Sequence, residues 1–94
     1  MRELEQELDD PRFPGITYQR GFAGHYEPVI RGTRLHVRTL VVEHYVWNLS
    51  VSEIADGHDL TEEQVLEALA FFEAHRNEIE AAIAEEQQYE PRDA

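Results

Sequence analysis

Arg31, Arg34, His36 and Arg38 crowd into one short stretch of a chain that has only eight basic residues, all of them Arg. A guanidinium forks onto two oxygens at once, so the chemistry such a cluster offers is binding of phosphate or carboxylate. If residues 34–38 are extended, side-chain alternation places Arg34, His36 and Arg38 on one face. That face fits a nucleic-acid backbone, the acids of a partner protein, or the chain's own Glu and Asp. Gly32 and Thr33 lie inside the cluster. Gly permits a turn, and the Thr33 hydroxyl can bond local backbone, with a ligand contact as its alternative role.

A second candidate is the helix that begins at Thr61. Its first residues include Glu62, Glu63, Gln64 and Glu67. In a helix-turn-helix this is the recognition position, where Gln reads adenine and Glu accepts from cytosine N4. Thr61, Glu62 and Gln64 are the candidate contacts. Carboxylates facing phosphates are costly, and acids at a helix N-terminus are also explained by the helix dipole. A third candidate is the last helix. Ile79, Ile83 and Tyr89 could dock into a partner's groove, with packing on the core as the alternative.

Catalytic chemistry finds no foothold. No nucleophile motif, phosphate loop or dinucleotide fingerprint occurs. The five His residues show no i, i+4 pair and there is no Cys, so neither a metal site nor a cofactor is expected. The many carboxylates single out no acid–base pair.

The elements that must position these residues follow from periodicity. Residues 1–14 form an acidic arm, with Leu4 and Leu8 four apart, closed by Pro11 and Pro14. Ile16, Tyr18 and Phe22 suggest a strand, Val29 and Ile30 a second, and Leu35 and Val37 a third, with Gly32 in the turn between the last two. Thr39 to Leu49 reads as a helix whose stripe is Val42, Tyr45, Val46 and Leu49, with Leu40 and Trp47 on another flank. Apolar residues on two sides suggest a central helix or a dimer interface.

Ser50 and Glu53 form a capping box for a helix over about 51–56, with Gly57 as its C′ residue. Thr61 and Gln64 form a second box, ahead of a stripe of Val65, Ala68, Leu69 and Phe72. Asn77 is read as the cap of a last helix carrying Ile79, Ala82 and Ile83, and ending near Gln88. One domain over 15–88, with a tail over 89–94, accommodates all of this.

Twenty acids against eight bases give a net charge of −12. Arg-favouring codon usage accounts for the missing Lys, and so does a halophilic, acid-rich surface. Either way, such a charge opposes non-specific nucleic-acid binding at low salt. No apolar run suits a membrane span and no signal-peptide pattern is present, which suggests a cytoplasmic protein.

Residues 28–79 resemble domain-of-unknown-function family 433. The resemblance rests on Pro28-Val29-Ile30-Arg31-Gly32-Thr33-Arg34, Val37-Arg38, Ser52-Glu53-Ile54-Ala55, Leu60-Thr61-Glu62-Glu63-Gln64-Val65 and Ala68-Leu69-Ala70-Phe71-Phe72. It implies a mainly α, homeodomain-like helix-turn-helix of three or four helices with a short N-terminal β element, often dimeric. It also implies an antitoxin paired with a PIN-like nuclease toxin. The expectation is therefore a non-enzymatic, homodimeric antitoxin that binds a PIN-like ribonuclease and represses its own operon. The dimer interface is expected near the ribbon and the Leu40–Trp47 flank. A DNA-binding regulator without a toxin, or a dimeric protein-interaction module, are the alternatives.

Overall fold

Ile16 and Tyr18 alternate with polar Thr17 and Gln19, and this period of two sends one face of the first strand inward. The computed structural model describes residues 8–20 and 25–89, with side chains to residue 85. In it β1 (Ile16–Arg20) pairs antiparallel with β2 (Tyr26–Ile30), in the register Ile16↔Ile30, Tyr18↔Pro28 and Arg20↔Tyr26. Gly21, Phe22 and Gly24 lie outside the described residues, as do most of the acidic arm and the tail beyond Tyr89. Among the described residues this ribbon is followed by four helices: α1 (Val37–Tyr45), α2 (Val51–His58), α3 (Glu62–Ala74) and α4 (Arg76–Tyr89). The chain is thus mainly α with a short N-terminal β element, as its periodicity implies.

The third strand is absent among the described residues. Only a single bridge forms, between Val29 and His36, and α1 begins at Val37 rather than Thr39. Leu35 and Val37 are both turned inward, but by a loop and a helix rather than by strand alternation. Gly32 does occupy a turn, at φ +85°, where a side chain would be strained.

Helix α1 also ends early. The amides of Val46 and Trp47 both bond Val42 O, at 2.9 and 3.1 Å, and the Leu49 amide reaches Glu43 O at 3.0 Å. Asn48 is left-handed at φ 62°, a conformation Asn tolerates better than most residues. This winding leaves Val46 and Trp47 outside the helix. The buried residues of α1 are Val37, Leu40 and Val41, while Tyr45 and Val46 of the expected stripe are exposed. Leu40 is fully buried in the core.

Both capping boxes form. Ser50 Oγ accepts from Glu53 N at 3.0 Å and Glu53 Oε1 accepts from Ser50 N at 2.8 Å. Thr61 and Gln64 exchange the same two bonds at 3.0 and 2.9 Å. Helix α2 runs through Gly57 to His58, and Asp59, not Gly57, takes the left-handed position that ends it. The link to α3 is the short turn Asp59–Thr61.

Helix α3 is the centre of the core. Val65, Ala68, Leu69 and Phe72 are buried as its stripe requires, and so is Phe71, which packs against Tyr18 of β1. Phe71 meets the rings of Phe13 at 5.4 Å, Tyr18 at 6.3 Å and His75 at 4.1 Å. The register then breaks at His75. Helix α4 starts at Arg76, so Asn77 lies inside it and is not its cap. Ile79 is fully buried, and Ile83 packs at the edge of the core.

Candidate functional site

The basic cluster is best taken from the turn outward. Thr33 Oγ1 donates to Ile30 O at 2.8 Å and accepts from Leu35 N at 3.0 Å, closing the loop between β2 and α1. Both of its hydrogen-bonding roles are therefore spent on local backbone. Arg31 turns back toward the N-terminal segment. Its Nε donates to Pro14 O at 2.8 Å and one terminal nitrogen pairs with Asp9 at 2.9 Å. Asp9 also accepts from Thr17 Oγ1 at 2.9 Å, so one carboxylate holds both strand and turn.

Arg38 and His36 converge on Glu27 of β2. The Glu27 Oε1 atom is buried and meets the Arg38 guanidinium, with His36 Nε2 at 3.5 Å. Both Arg38 and Glu27 are largely buried. Because α1 begins at Val37, Arg34, His36 and Arg38 do not line one strand face. Arg34 alone of the cluster is exposed with no side-chain partner among the described residues.

The first turn of α3 divides in the same manner. Thr61 is the cap and Gln64 Oε1 is occupied by the cap amide. Reading a base with Gln64 would require breaking that bond. Glu67 accepts from Gly15 N at 2.8 Å, and a Cβ on Gly15 would collide with its carboxylate. Glu62 and Glu63 are exposed, with no ion-pair partner among the described residues. On α4, burial removes Ile79 from any docking surface. Ile83 is partly buried, and the Tyr89 side chain lies outside the described residues.

A different surface is conspicuous. Tyr45, Val46, Trp47 and Leu66 are large apolar residues exposed at 51%, 66%, 62% and 53%. Tyr45 bridges the two helices that carry them. Its ring lies 5.6 Å from that of Phe72 and its hydroxyl donates to Glu73 at 3.3 Å. Partial desolvation first, and Glu73 second, push the Tyr45 phenol above its ordinary range. Leu66 lies two turns before Glu73, hence on the same stripe of α3. Sequence periodicity places Tyr45 and Val46 on the apolar stripe of a helix that is either central or at an interface. The available signal was that this helix is apolar on more than one side.

Charge is distributed unevenly around this surface. Residues 39–75 contain Glu43, Glu53, Asp56, Asp59, Glu62, Glu63, Glu67 and Glu73, and no Arg or Lys. Glu43 pairs with His58 at 3.0 Å and Glu73 with Arg76 at 2.8 Å. Asp56, Asp59, Glu62 and Glu63 are exposed.

The remaining polar network fastens the N-terminal segment. His75 stacks on Phe71, with Nε2 at 2.9 Å from Asp10 and Nδ1 at 3.2 Å from Glu78. Tyr18 donates to Glu78, its two oxygens lying 2.8 and 3.1 Å away. Arg12 first, and His75 second, hold the Asp10 carboxyl well below the usual carboxylate range. Burial first, and then Glu78, push the Tyr18 phenol up. No group of three or more His, Cys, Asp or Glu that could hold a metal ion occurs among the described residues. No described helix is long and apolar enough to cross a membrane.

Comparison with known proteins gives one match. No curated protein and no solved structure matches the chain. Residues 25–72, which carry β2, α1, α2 and most of α3, match the family described as Protein of unknown function (DUF433). That span is half of the chain and includes both capping boxes, the Arg31–Arg38 turn and the exposed Tyr45–Trp47 segment, and the chain belongs to the DUF433 family.

Proposed function

We propose that this chain is a non-enzymatic protein-binding module, the antitoxin of a toxin–antitoxin pair, which binds and inhibits a PIN-like ribonuclease. The observation that carries the reading is the stretch of residues 39–75, which has eight acids and no Arg or Lys, leaves Asp56, Asp59, Glu62 and Glu63 exposed, and bears the four exposed large apolar residues. A ribonuclease must present a basic cleft to hold RNA phosphates. An acidic surface with apolar anchors competes for such a cleft by charge and shape, and complementary charge speeds the encounter. The inhibition would be steric and electrostatic, with no chemical step. The antitoxin role comes from the family resemblance. A homodimer belongs to the same reading, and light scattering tests it.

Affinity capture of the tagged protein from its host lysate at native salt, with mass spectrometry of the eluate, tests this proposal. A stoichiometric PIN-like protein whose RNA cleavage is suppressed by the purified chain is the expected result. Homodimer alone, with no nuclease retained, would count against it.

A second reading is a DNA-binding regulator, acting alone or as repressor of the antitoxin's own operon. The short Asp59–Thr61 turn between two capped helices favours it, because it leaves the start of α3 at the surface as in a helix-turn-helix. Specific binding to its own promoter duplex, weakening steeply with salt, would establish that reading.

A further inference from the structure

We propose that the face formed by Tyr45, Val46 and Trp47 at the end of α1, together with Leu66 of α3, docks a cationic protein surface. Apolar anchors of the partner seat on these four residues while its Lys and Arg meet Glu62 and Glu63. This inference deepens the partner reading above by naming the surface and the partner's chemistry.

Three observations carry it. First, the four residues are more than half exposed, and Leu8 is the one other exposed large hydrophobic among the described residues. Second, Val46 and Trp47 are held outward by a bonded turn rather than left loose. Their amides both bond Val42 O, and His44 Nδ1 lies 2.9 Å from Leu49 O on the far side of left-handed Asn48. A preorganised aromatic anchor loses little entropy on binding, and Trp and Tyr dominate binding hot spots. Third, the charge around the face selects its occupant. Glu62 and Glu63 are exposed one turn before Leu66 on α3, with no ion-pair partner among the described residues, while at the Tyr45 edge Arg76 is held by Glu73 at 2.8 Å and lies over the Phe72 ring. A second copy of this chain would bring like charge against like, and nucleic acid would be repelled by the same acids. A cationic protein surface satisfies the apolar residues and the carboxylates together, and an Arg can also stack on the Trp47 ring.

Trp47 is the only Trp in the chain, so its emission reports on this face. Emission and acrylamide quenching would be followed at a salt concentration where circular dichroism shows the fold. Three probes would be used: a purified PIN-like nuclease from the host, an amphipathic helical peptide of Leu and Lys, and its Leu and Glu counterpart. The expected result is a blue shift and protection of Trp47 with nuclease and with the Leu/Lys peptide. Leu66→Ser, and separately Glu62→Lys with Glu63→Lys, should each weaken binding about tenfold or more while the fold is kept. Nuclease binding that leaves Trp47 fully quenchable and is indifferent to these variants overturns the docking face but leaves the antitoxin reading standing. No nuclease binding, with Trp47 protected by the Leu/Lys peptide and not by the Leu/Glu peptide, supports the face and counts against the antitoxin. A blue shift produced by raising the protein's own concentration, or by duplex DNA, overturns the inference, as does equal response to both peptides.

Discussion

The ribbon and the α1–α3 face treat charge in opposite ways. Between residues 8 and 38 the structure holds five arginines, and the acids near them are close at hand. Arg12 meets Asp10, Arg31 meets Asp9 and Arg38 meets Glu27. From residue 39 to 75 there are eight acids, no Arg or Lys, and four exposed apolar side chains. The cluster that draws the eye in the sequence is largely spent on holding the N-terminal segment, the turn and α1 together. The face that the sequence marks only as a helix apolar on two sides is the one left with unsatisfied surface. A basic cluster is a candidate binding site only after its intramolecular partners are subtracted, and here the subtraction leaves Arg34.

If that division is right, substitutions on the ribbon side should act on stability and those on the α1–α3 face on binding. The largest effect is expected at Phe71, against which Phe13, Tyr18 and His75 all pack. Phe71→Ala should cost about 3–5 kcal/mol in urea unfolding, enough to unfold many small domains. Next is Arg38→Ala, which removes the guanidinium beside the mostly buried Glu27 carboxylate. A loss of about 1–3 kcal/mol is expected in the same assay. A loss near zero would show that the cluster is not structural and would return it to the candidate binding residues. Ser50→Ala and Thr61→Ala should each cost about 1 kcal/mol through loss of a cap.

The pH dependence sharpens the ribbon side further. The folded state depresses the Asp10 pKa, so Asp10 contributes stability that is complete above about pH 4 and lost as the pH falls toward the depressed value. The folded state raises the Tyr18 pKa. Its contribution is complete below about pH 10 and lost as the pH rises through the raised value. Asp10→Asn should flatten the acid limb of the stability profile and Tyr18→Phe the alkaline limb, both read by thermal unfolding across pH. The smallest stability effect is expected on the opposite face, where Trp47→Ala and Leu66→Ser should stay within about 0.5 kcal/mol.

What could be read in the sequence was what local spacing controls. Ser50 with Glu53, and Thr61 with Gln64, announce helix starts because both partners of each box lie within one turn. Val65, Ala68, Leu69 and Phe72 follow one helical stripe and are buried. Failures occurred where distant contacts decide. Leu35 and Val37 alternate like a strand, but the chain enters α1 there because Val37 packs into the core beside Leu40. Phe71 falls outside the stripe and is buried because Phe13, Tyr18 and His75 pack on it. Asp59 rather than Gly57 takes the left-handed position, since α2 runs two residues further, to His58. The partners of Arg31 and Arg38 lie 22 and 11 residues away in sequence and have no spacing signature. The exposure of Tyr45–Trp47 is not legible in spacing, because apolar residues on two sides of a helix fit a central helix as well as an interface.

The most direct test of the division is isothermal titration of a host PIN-like nuclease with three proteins: the natural chain, Arg34→Ala and Leu66→Ser. Both variants change exposed side chains and should keep the fold. The account predicts that Arg34→Ala binds as the natural chain does, while Leu66→Ser loses about tenfold or more in affinity. Loss of binding in Arg34→Ala with Leu66→Ser unaffected would contradict it and place the functional surface on the ribbon.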